Sequence, residues 1–492
     1  MLRFNNLKNS TIDVVTLENF LNSNFQDVYD FFVTQKHSEI IKHKADIKRY
    51  IALNLNYFKQ LDISSSTNLS FISILLDVSE RLGFLMEFRI LYEHLKNQNY
   101  TIGKRLEAAS LYLISINTAD DYLRSCESIC EKLQLAYELE EDNEDRILFT
   151  LINYYAQVVN NFGQFNSQAV TALKVKIIEV KNQLENSFLT HPLIHQVLNI
   201  ELEPDMAPVN TAYHKIQQLL YDFLNHNKIR EFLKENFLIE SGTYYAELLK
   251  YIQPDFHAIR QISVNQYKLI NDNSVFYSLQ RGVKILTDEN QLYAYLNSYG
   301  NMHYQKMMSS LESLPQAFFD KEISIIDWAC GQGMATISFL DYLNNQGTKQ
   351  EIRDITLIEP SEIALKRASL HVKMYNESFN VLTVNKDIDS LSSSDFIPNQ
   401  ESVKLHLFSN VLDMEVFQLS NLLELVKNSF NGENYFICAS PYVNDLKTER
   451  INSFVRYFSN FEGYTLIESI SERGCEWYND WTRVIRVFRA NL

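Results

Sequence analysis

The sequence predicts an all-α N-terminal domain followed by a C-terminal α/β domain built on a mainly parallel sheet. Residues 1–191 contain no proline and only three glycines, and both residue types weaken helices. From Ile323 onwards, short aliphatic and β-branched runs alternate with helical patterns, as in sheets whose parallel strands are joined by helices. We place the helical domain at residues 1–250, a helical connector at 251–318 and the α/β domain at 319–492.

Length and composition fit a folded protein of two or three domains. Of the 492 residues 46% are apolar, which is enough for a sizeable core. With 45 Lys and Arg against 61 Asp and Glu, the formal net charge is −16, which disfavours a nucleic-acid partner. No apolar run reaches the roughly 20 residues that span a bilayer, and the start lacks a signal-peptide pattern. We therefore expect a cytoplasmic protein without a membrane partner.

Cysteine and histidine spacing predicts neither a disulfide framework nor a metal site. The five cysteines are odd in number and form no CxxC pair. Cys126 and Cys130 fall on an apolar helical stripe and are expected in the core. The spacing of His191 and His195 suits a shared metal, but Pro192 lies between them and no third ligand is evident.

Helical periodicity is clearest around residues 122–137. Apolar residues recur there at steps of three and four: Tyr122, Leu123, Cys126, Ile129, Cys130, Leu133, Ala136 and Tyr137. Thr118 and Asp121 are placed to cap this helix. Further helices are predicted from about residue 146 to 162 and from about 167 to 184. Successive helices of similar length suggest stacked hairpins, although no repeat signature fixes a repeat family.

Seven strands are predicted in the C-terminal part. Their sequences are ISIIDW, DITLIE, VLTV, VKLHLF, NYFICA, YTLIESIS and TRVIRVF. The first five are separated by crossover segments and are expected to be parallel, whereas the last two close the sheet as an antiparallel edge hairpin. This is a Rossmann-like arrangement, in which ligands bind beyond the carboxyl ends of the strands.

The connection after the first strand carries the most informative pattern. The strand ends at Asp327 and leads through a short turn of small residues into a helix. Gly331 and Gly333 lack a Cβ, so a ligand can approach N–H groups at the positive end of that helix. This turn of small residues, called the bend from here on, suits an anionic group. Any tight strand-to-helix connection can, however, use two glycines.

The next two strands also end in polar side chains. Glu359 ends the second strand, where a carboxylate accepts hydrogen bonds from both hydroxyls of a ribose. Asp387 follows the third strand, where a second acid can accept a hydrogen bond from an exocyclic amine. The sequence thus predicts a nucleoside site across the ends of three neighbouring strands.

This pattern resembles the class I S-adenosylmethionine-dependent methyltransferases over about residues 320–492. The family's first motif, an acid followed by alternating glycines, is matched by Asp327, Gly331 and Gly333, with Ala329 where the family usually has its first glycine. The resemblance implies a seven-stranded methyltransferase domain that binds S-adenosylmethionine. It assigns to the cofactor Asp327, Ala329, Gly331 and Gly333 for the methionine part, Glu359 for the ribose, Asp387 for the adenine, and Pro360, Ile388 and Tyr299 as further contacts.

A nicotinamide-dependent dehydrogenase would use the same bend differently. Its fingerprint needs a third small residue where this chain has Thr336. The terminal strand pair also fits a methyltransferase better. The methyltransferase is therefore the favoured hypothesis, and another nucleotide-binding α/β fold stays open.

Three residues are candidate catalytic groups, because methyl transfer needs an aligned nucleophile, exclusion of water and removal of a proton. The fourth strand delivers Asn410 and Asp413 to the crevice, and His303, which precedes the sheet, has a reference pKa suited to a base. Asn410 is equally suited to capping the next helix, and a lone histidine is more often structural. The turn between the last two strands adds residues that clamp an acceptor or pack over the sheet edge: Glu472, Arg473, Trp477, Tyr478 and Trp481.

The sequence therefore predicts an S-adenosylmethionine-dependent methyltransferase that acts on a peptide, protein or small-molecule acceptor. The helical N-terminal domain would recruit or enclose the acceptor, and stacked helices favour a peptide or protein by analogy. The alternative is a non-catalytic scaffold that binds a nucleotide or S-adenosylmethionine. A homo-oligomer is compatible with either function.

Overall fold

The computed structural model describes residues 2–114, 118–138, 144–184, 187–202, 211–225, 235–396, 402–473 and 477–492. The chain forms two compact units, Met1–Ile229 and Arg230–Leu492. The division falls ahead of the boundary placed at residue 250 from the sequence, so the predicted connector 251–318 belongs to the same unit as the sheet. Cys475 lies outside the described residues, and the other four cysteines are buried free thiols.

The first unit is built from twelve α-helices within the described residues. They are α1 (Leu2–Ser10), α2 (Val14–Tyr29), α3 (His37–Lys42), α4 (Lys44–Phe58), α5 (Ser66–Leu82), α6 (Leu85–Asn97), α7 (Lys104–Leu113), α8 (Ala119–Glu138), α9 (Glu144–Phe162), α10 (Ser167–Gln183), α11 (Pro192–Leu198) and α12 (Thr211–Leu224). The predicted helical N-terminal region is confirmed. Among the described residues of the whole chain, no helix has the length and apolarity needed to cross a bilayer.

Helix α8 shows how the sequence specifies these elements. Thr118 and Asp121 form the predicted cap, because each backbone N–H donates to the other residue's side-chain oxygen, at 3.0 and 3.2 Å. The apolar stripe faces the interior and is buried at Tyr122, Cys126, Ile129, Cys130, Leu133 and Ala136. Helices α7, α9 and α10 pack against α8. Cys126 and Cys130 are therefore core residues, as predicted.

The second unit begins with helices and continues as an α/β sandwich. The leading helices are α13 (Tyr244–Leu249), α14 (Phe256–Ile270), α15 (Asn273–Tyr277), α16 (Glu289–Ser298), α17 (Gly300–Leu311) and α18 (Gln316–Phe319). The strands are β1 (Ile323–Trp328), β2 (Ile352–Ile358), β3 (Val381–Val384), β4 (Val403–Ser409), β5 (Glu433–Ser440), β6 (Thr465–Glu472) and β7 (Arg483–Asn491). The helices between strands are α19 (Met334–Gln346), α20 (Glu362–Tyr375), α21 (Leu419–Ser429) and α22 (Asp445–Phe458).

The seven strands form one sheet in the order β3-β2-β1-β4-β5-β7-β6. Strands β1 to β5 are parallel, and β7 is antiparallel to both β5 and β6. The predicted α/β fold with a closing antiparallel strand pair is confirmed. Because β6 runs in the same direction as the parallel strands, the turn between β6 and β7 lies at the edge where those strands have their carboxyl ends.

Both faces of the sheet are buried, which explains the nearly continuous apolar strands. On one face Ile325 and Leu357 pack with helices α17, α19 and α20. On the other face Ile326 and Ile358 pack with α21 and α22. Side chains that alternate along β1 and β2 thus enter two separate apolar layers.

The chain before α13 covers the outer edge of β3. The carbonyl of Asn236 accepts a hydrogen bond from the N–H of Thr383 at 2.9 Å. Glu240 then accepts two hydrogen bonds from Arg367 of α20, at 2.7 and 2.8 Å. Arg367 is only 1% exposed, and its guanidinium lies 3.8 Å from the ring centre of Tyr245. These contacts place the segment from Asn236 in the second unit.

Candidate functional site

Asp327 at the end of β1 anchors the bend that leads into α19. Its Oδ2 accepts hydrogen bonds from the Thr336 N–H at 3.1 Å and from the Thr336 hydroxyl at 2.7 Å. Burial raises the pKa of Asp327 to about 7, against the opposing effect of the Thr336 bonds. Thr336 stands where the dehydrogenase fingerprint has a smaller residue. Here its two hydrogen bonds with Asp327 hold the bend to the sheet.

Three residues of the bend adopt left-handed backbone conformations. The φ angles are 49° at Ala329, 54° at Gly331 and 78° at Gly333. Ala329 adopts this conformation with a Cβ, which costs about 1 kcal/mol. A Cβ added at Gly333 would lie 3.2 Å from the Cβ of Ala368, whereas one added at Gly331 would meet no atom within 4 Å. Gly333 therefore permits packing between α19 and α20, and open space lies in front of Gly331.

Gln332, between the two glycines, ties the bend to two helices. Its side-chain Nε2 donates to the Leu292 carbonyl of α16 at 3.0 Å. Its carbonyl accepts a hydrogen bond from His371 Nδ1 of α20 at 2.9 Å, which makes Nδ1 the protonated ring nitrogen. Burial lowers the pKa of His371 to about 4, so the ring is neutral near pH 7. The bend is held rigidly from both sides.

Glu359, directly after β2, contacts the bend. Its Oε2 accepts the Gly331 N–H at 3.0 Å, and its Oε1 accepts the Ser361 N–H at 2.9 Å. The Ser361 hydroxyl accepts the Ala364 N–H at the start of α20 and donates to the Leu286 carbonyl. The structure therefore brings the carboxylate and the glycine bend together, as the predicted nucleoside site requires.

The end of β3 is joined to the same region through Asn385. Its Nδ2 donates to the carbonyl of Glu359 at 3.0 Å and to that of Pro360 at 3.1 Å. Asp387 is partly exposed and accepts an N–H bond at 2.9 Å from the short 3₁₀ turn Ile388–Ser390. Ile388 is buried in the apolar layer under α21 and α22. Asp387 thus caps a turn in this structure, and its predicted contact with the adenine stays a prediction.

Asn410, directly after β4, lies in a network with two residues of α17. Lys306 Nζ donates to Asn410 Oδ1 at 2.7 Å. Asn410 Nδ2 lies 2.7 Å from His303 Nε2 and 3.1 Å from Nδ1, and His303 Nδ1 lies 3.2 Å from Ser409 Oγ. Burial and the positive charge of Lys306 hold the pKa of His303 well below its usual value. His303 and Asn410 are therefore brought together, with the histidine in its neutral form.

Asp413 and Tyr295 lie in the neighbourhood of this network, and the Tyr295 hydroxyl is 3.5 Å from His303 Nε2. Asp413 accepts a hydrogen bond from the hydroxyl of Ser440 at 2.8 Å, which links the ends of β4 and β5. Burial raises the pKa of Tyr295, and the charges of Glu359 and Asp413 add to the rise. The ring of Tyr299 lies 5.3 Å from that of Tyr295. Tyr295, on the helix before α17, is thus subject to the negative charge of both carboxylates.

The aromatic side chains between β6 and β7 contact charged residues of their own hairpin. The Arg483 guanidinium lies 4.5 Å from the ring centre of Trp477 and pairs with Glu472. Tyr478 and Trp481 lie 5.3 Å apart. One face of Trp477 is thus covered by Arg483, which favours the packing role over that of a cation clamp.

The parallel strands and the antiparallel seventh strand decide the fold. The C-terminal unit has the class I methyltransferase fold. Strands β2, β1 and β4 are neighbours in the sheet. Glu359, Asp327 and Asn410 therefore lie at adjacent carboxyl ends, where such sheets bind ligands.

Solved methyltransferases are similar to part of this chain. A class I S-adenosylmethionine-dependent methyltransferase assigned in Listeria monocytogenes is 12% identical over 71% of this chain and 88% of its own, with a TM-score of 0.31. The plantazolicin methyltransferase BpumL, solved with S-adenosylhomocysteine, is 13% identical over 47% and 100%, with a TM-score of 0.30. An S-adenosylmethionine-dependent methyltransferase from Clostridium acetobutylicum is 10% identical over 42% and 100%, with a TM-score of 0.29. No protein-family model and no curated protein sequence matches the chain.

Sequence reasoning missed three residues that assemble the site. Asn385 joins β2 to β3, Tyr295 is subject to the negative charge of both carboxylates, and Lys306 holds Asn410. For Lys306 a signal was present, since it lies three residues after His303 on the same helical face. For Asn385 and Tyr295 the contacts depend on how separate elements pack, which the local sequence does not encode.

Proposed function

We propose that this protein is an S-adenosylmethionine-dependent methyltransferase that acts on a peptide, protein or small-molecule acceptor. The observation that supports this function best is the 3.0 Å hydrogen bond between the Gly331 N–H and Glu359 Oε2. It brings the bend after β1 and the carboxylate after β2 into one crevice. A nucleoside with an amino-acid tail requires both groups at this place.

The residues of the crevice fit such a cofactor. The space in front of Gly331 is open, and the Gly331 and Ser361 N–H groups orient the Glu359 carboxylate for ribose hydroxyls. The bend lies at the N-terminus of α19, where the helix dipole favours a negatively charged carboxylate tail. We assign the methionine part to the bend with Asp327, Ala329, Gly331 and Gly333, the ribose to Glu359 and Pro360, the adenine to Asp387 and Ile388, and a covering contact to Tyr299.

The chain's own groups then have to orient the acceptor and exclude water. When bound, the cofactor supplies a methyl group already activated by the positive sulfonium. Asn410 and Asp413 lie at the carboxyl ends of the central strands, where an acceptor approaches. The N-terminal helical unit is proposed to recruit that acceptor, because stacked helices commonly present surfaces for peptides.

Calorimetry with S-adenosylhomocysteine tests the cofactor site. We expect Glu359→Ala to weaken binding about 100-fold, because two charge-assisted hydrogen bonds to the ribose contribute about 3 kcal/mol together. Glu362→Ala is the matched control, since Glu362 starts α20 nearby and its side chain is 45% exposed in a pair with Lys366. Absence of binding by the wild-type protein, or equal affinities of the two variants, would contradict the proposal.

A transfer assay separates the enzyme from a scaffold. S-adenosylmethionine with a labelled methyl group is incubated with the protein and with fractions of peptides, metabolites and nucleic acids. We expect label in a peptide, protein or metabolite fraction, and none with Glu359→Ala. Binding of S-adenosylhomocysteine without label in any fraction would support the non-catalytic scaffold, for which the Cβ of Ala329 at the first-glycine position is the structural argument.

A further inference from the structure

Lys306 carries a buried positive charge beside the residues that end the central strands. Its side chain belongs to α17 and is only 1% exposed, and its Nζ lies 2.7 Å from Asn410 Oδ1. A buried ammonium is retained in a fold only where nearby groups compensate its desolvation. Its position beside Asn410, which directly follows β4, places this charge at the crevice.

The chemistry of Lys306 fixes the orientation of the Asn410 amide. An ammonium has three donors and no acceptor, so the atom of Asn410 that faces it is the oxygen. The amide nitrogen of Asn410 therefore faces His303, at 2.7 Å from Nε2 and 3.1 Å from Nδ1. The reversed amide would set two donors against each other on the Lys306 side.

The oriented amide in turn determines the tautomer of His303. Asn410 Nδ2 is a donor, and it lies closer to Nε2 than to Nδ1, at 2.7 against 3.1 Å, so Nε2 is the nitrogen that accepts and carries no proton. In the neutral ring the proton then lies on Nδ1, which is 3.2 Å from Ser409 Oγ. The Tyr295 hydroxyl, 3.5 Å from Nε2, is able to donate to the same nitrogen. Lys306 thus donates to Asn410, Asn410 donates to His303, and His303 donates to Ser409.

Of the three side chains Lys306, His303 and Asn410, only that of Asn410 is partly exposed. His303 is 5% exposed and Lys306 is 1% exposed. Asn410 has a left-handed backbone with φ of 56°, so its position is set by the chain as well as by its partners. The amide therefore meets an acceptor, while the two residues of α17 support it from behind.

We propose that Lys306 is a positioning residue for methyl transfer, whose buried ammonium fixes the Asn410 amide and thereby holds His303 in the Nδ1-protonated tautomer. The lone pair of His303 Nε2 is occupied by Asn410, so His303 supports the amide and does not take the acceptor's proton. This role rests on the proposed function. The arrangement of the three side chains is measurable without an acceptor.

The tautomer of His303 is measured on the full chain with isotope-labelled histidine, in proton–nitrogen spectra that read the long-range couplings of the ring. His303→Gln identifies the signal among the 11 histidines. We expect an Nδ1-protonated ring in the wild-type protein. Protonation at Nε2 in the wild-type protein would overturn the proposal without any further variant.

Substitutions then test the causal order. With Lys306→Met we expect both tautomers, since the Asn410 amide can reverse, whereas Lys306→Arg keeps a donor-only cation and the wild-type pattern. In Asn410→Asp a carboxylate oxygen replaces the donor, so we expect a proton on Nε2; this variant covers the case that Lys306→Met does not fold. Lys427→Met on α21, whose side chain is 44% exposed, is the control. An unchanged His303 signal in folded Lys306→Met or Asn410→Asp would overturn the proposal.

Two functional measurements separate this role from the proposed function. We expect Lys306→Met to bind S-adenosylhomocysteine within about threefold of the wild-type affinity and to label the acceptor fraction about 10- to 100-fold more slowly. An unchanged labelling rate would overturn the positioning role. Failure of the wild-type protein to bind S-adenosylhomocysteine would instead contradict the proposed function, and the tautomer result would stand by itself.

Discussion

Alanine substitution at the two glycines of the bend distinguishes a ligand site from a tight turn. Gly331 and Gly333 both have positive φ angles, so a Cβ at either position costs about 1 to 2 kcal/mol in the folded state. At Gly333 the new Cβ would also lie 3.2 Å from the Cβ and 3.3 Å from the Cα of Ala368. Crowding of this kind adds about 1 to 3 kcal/mol.

We therefore expect Gly333→Ala to lower the free energy of unfolding by about 2 to 5 kcal/mol, and Gly331→Ala to lower it by only about 1 to 2 kcal/mol. Binding should follow the opposite order among folded variants. A Cβ at Gly331 enters the open space in front of the bend, so Gly331→Ala should weaken S-adenosylhomocysteine binding at least about tenfold, or about 1.4 kcal/mol.

Urea unfolding and calorimetry on the same samples measure the two effects. Wild-type affinity in Gly331→Ala would refute the reasoning, because the open space would then not belong to the cofactor. Equal loss of stability in both variants would show that contact with Ala368 does not limit the packing of α19 on α20.

Two further predictions concern the ends of the bend. Asp327 has a pKa of about 7 in the folded protein against 3.8 in the unfolded chain, so its contribution to stability is complete below about pH 4 and is lost as the pH rises towards 7. Relative to Asp327→Asn, the wild-type free energy of unfolding should therefore fall by on the order of 3 kcal/mol between pH 4 and 7; urea midpoints that differ by a constant amount across this range would contradict this. Ala329→Gly should relieve the left-handed strain and change stability by less than about 1 kcal/mol, since the greater freedom of glycine in the unfolded chain offsets the gain. A loss of several kcal/mol in thermal or urea unfolding would show that the Ala329 methyl group is needed for packing.

The strands of the sheet could be predicted from the sequence because they are buried on both faces and are therefore almost continuously apolar. Aliphatic runs such as Ile323–Trp328 and Glu433–Ser440 stand out between helical patterns, and each predicted strand overlaps an observed one. The bend and Glu359 were also predictable, since parallel strands place their carboxyl ends at one edge. Position along the chain and strand direction are enough for this inference.

The supporting contacts were not predictable, because they depend on packing between distant segments. Lys306 meets Asn410 across 104 positions of sequence, and Glu240 meets Arg367 across 127. The boundary between the two units also depends on a contact between distant segments. The helical domain predicted from the sequence ends at residue 250, whereas the ion pair of Glu240 with Arg367 ties the segment from Asn236 to α20 in the unit that contains the sheet.

The segment from Asn236 to Glu240, which contacts β3 and α20, determines how the C-terminal unit can be isolated. A fragment cut at residue 251 would contain Arg367 without Glu240, which leaves an almost fully buried guanidinium without that carboxylate. The fragment would also lack the Asn236 carbonyl, which accepts a hydrogen bond from the edge strand β3. The backbone edge of β3 would then be exposed and could pair with other chains. Expression of the C-terminal half should therefore start before Asn236, and aggregation of shorter pieces would reflect their missing edge cover rather than an intrinsically unstable sheet.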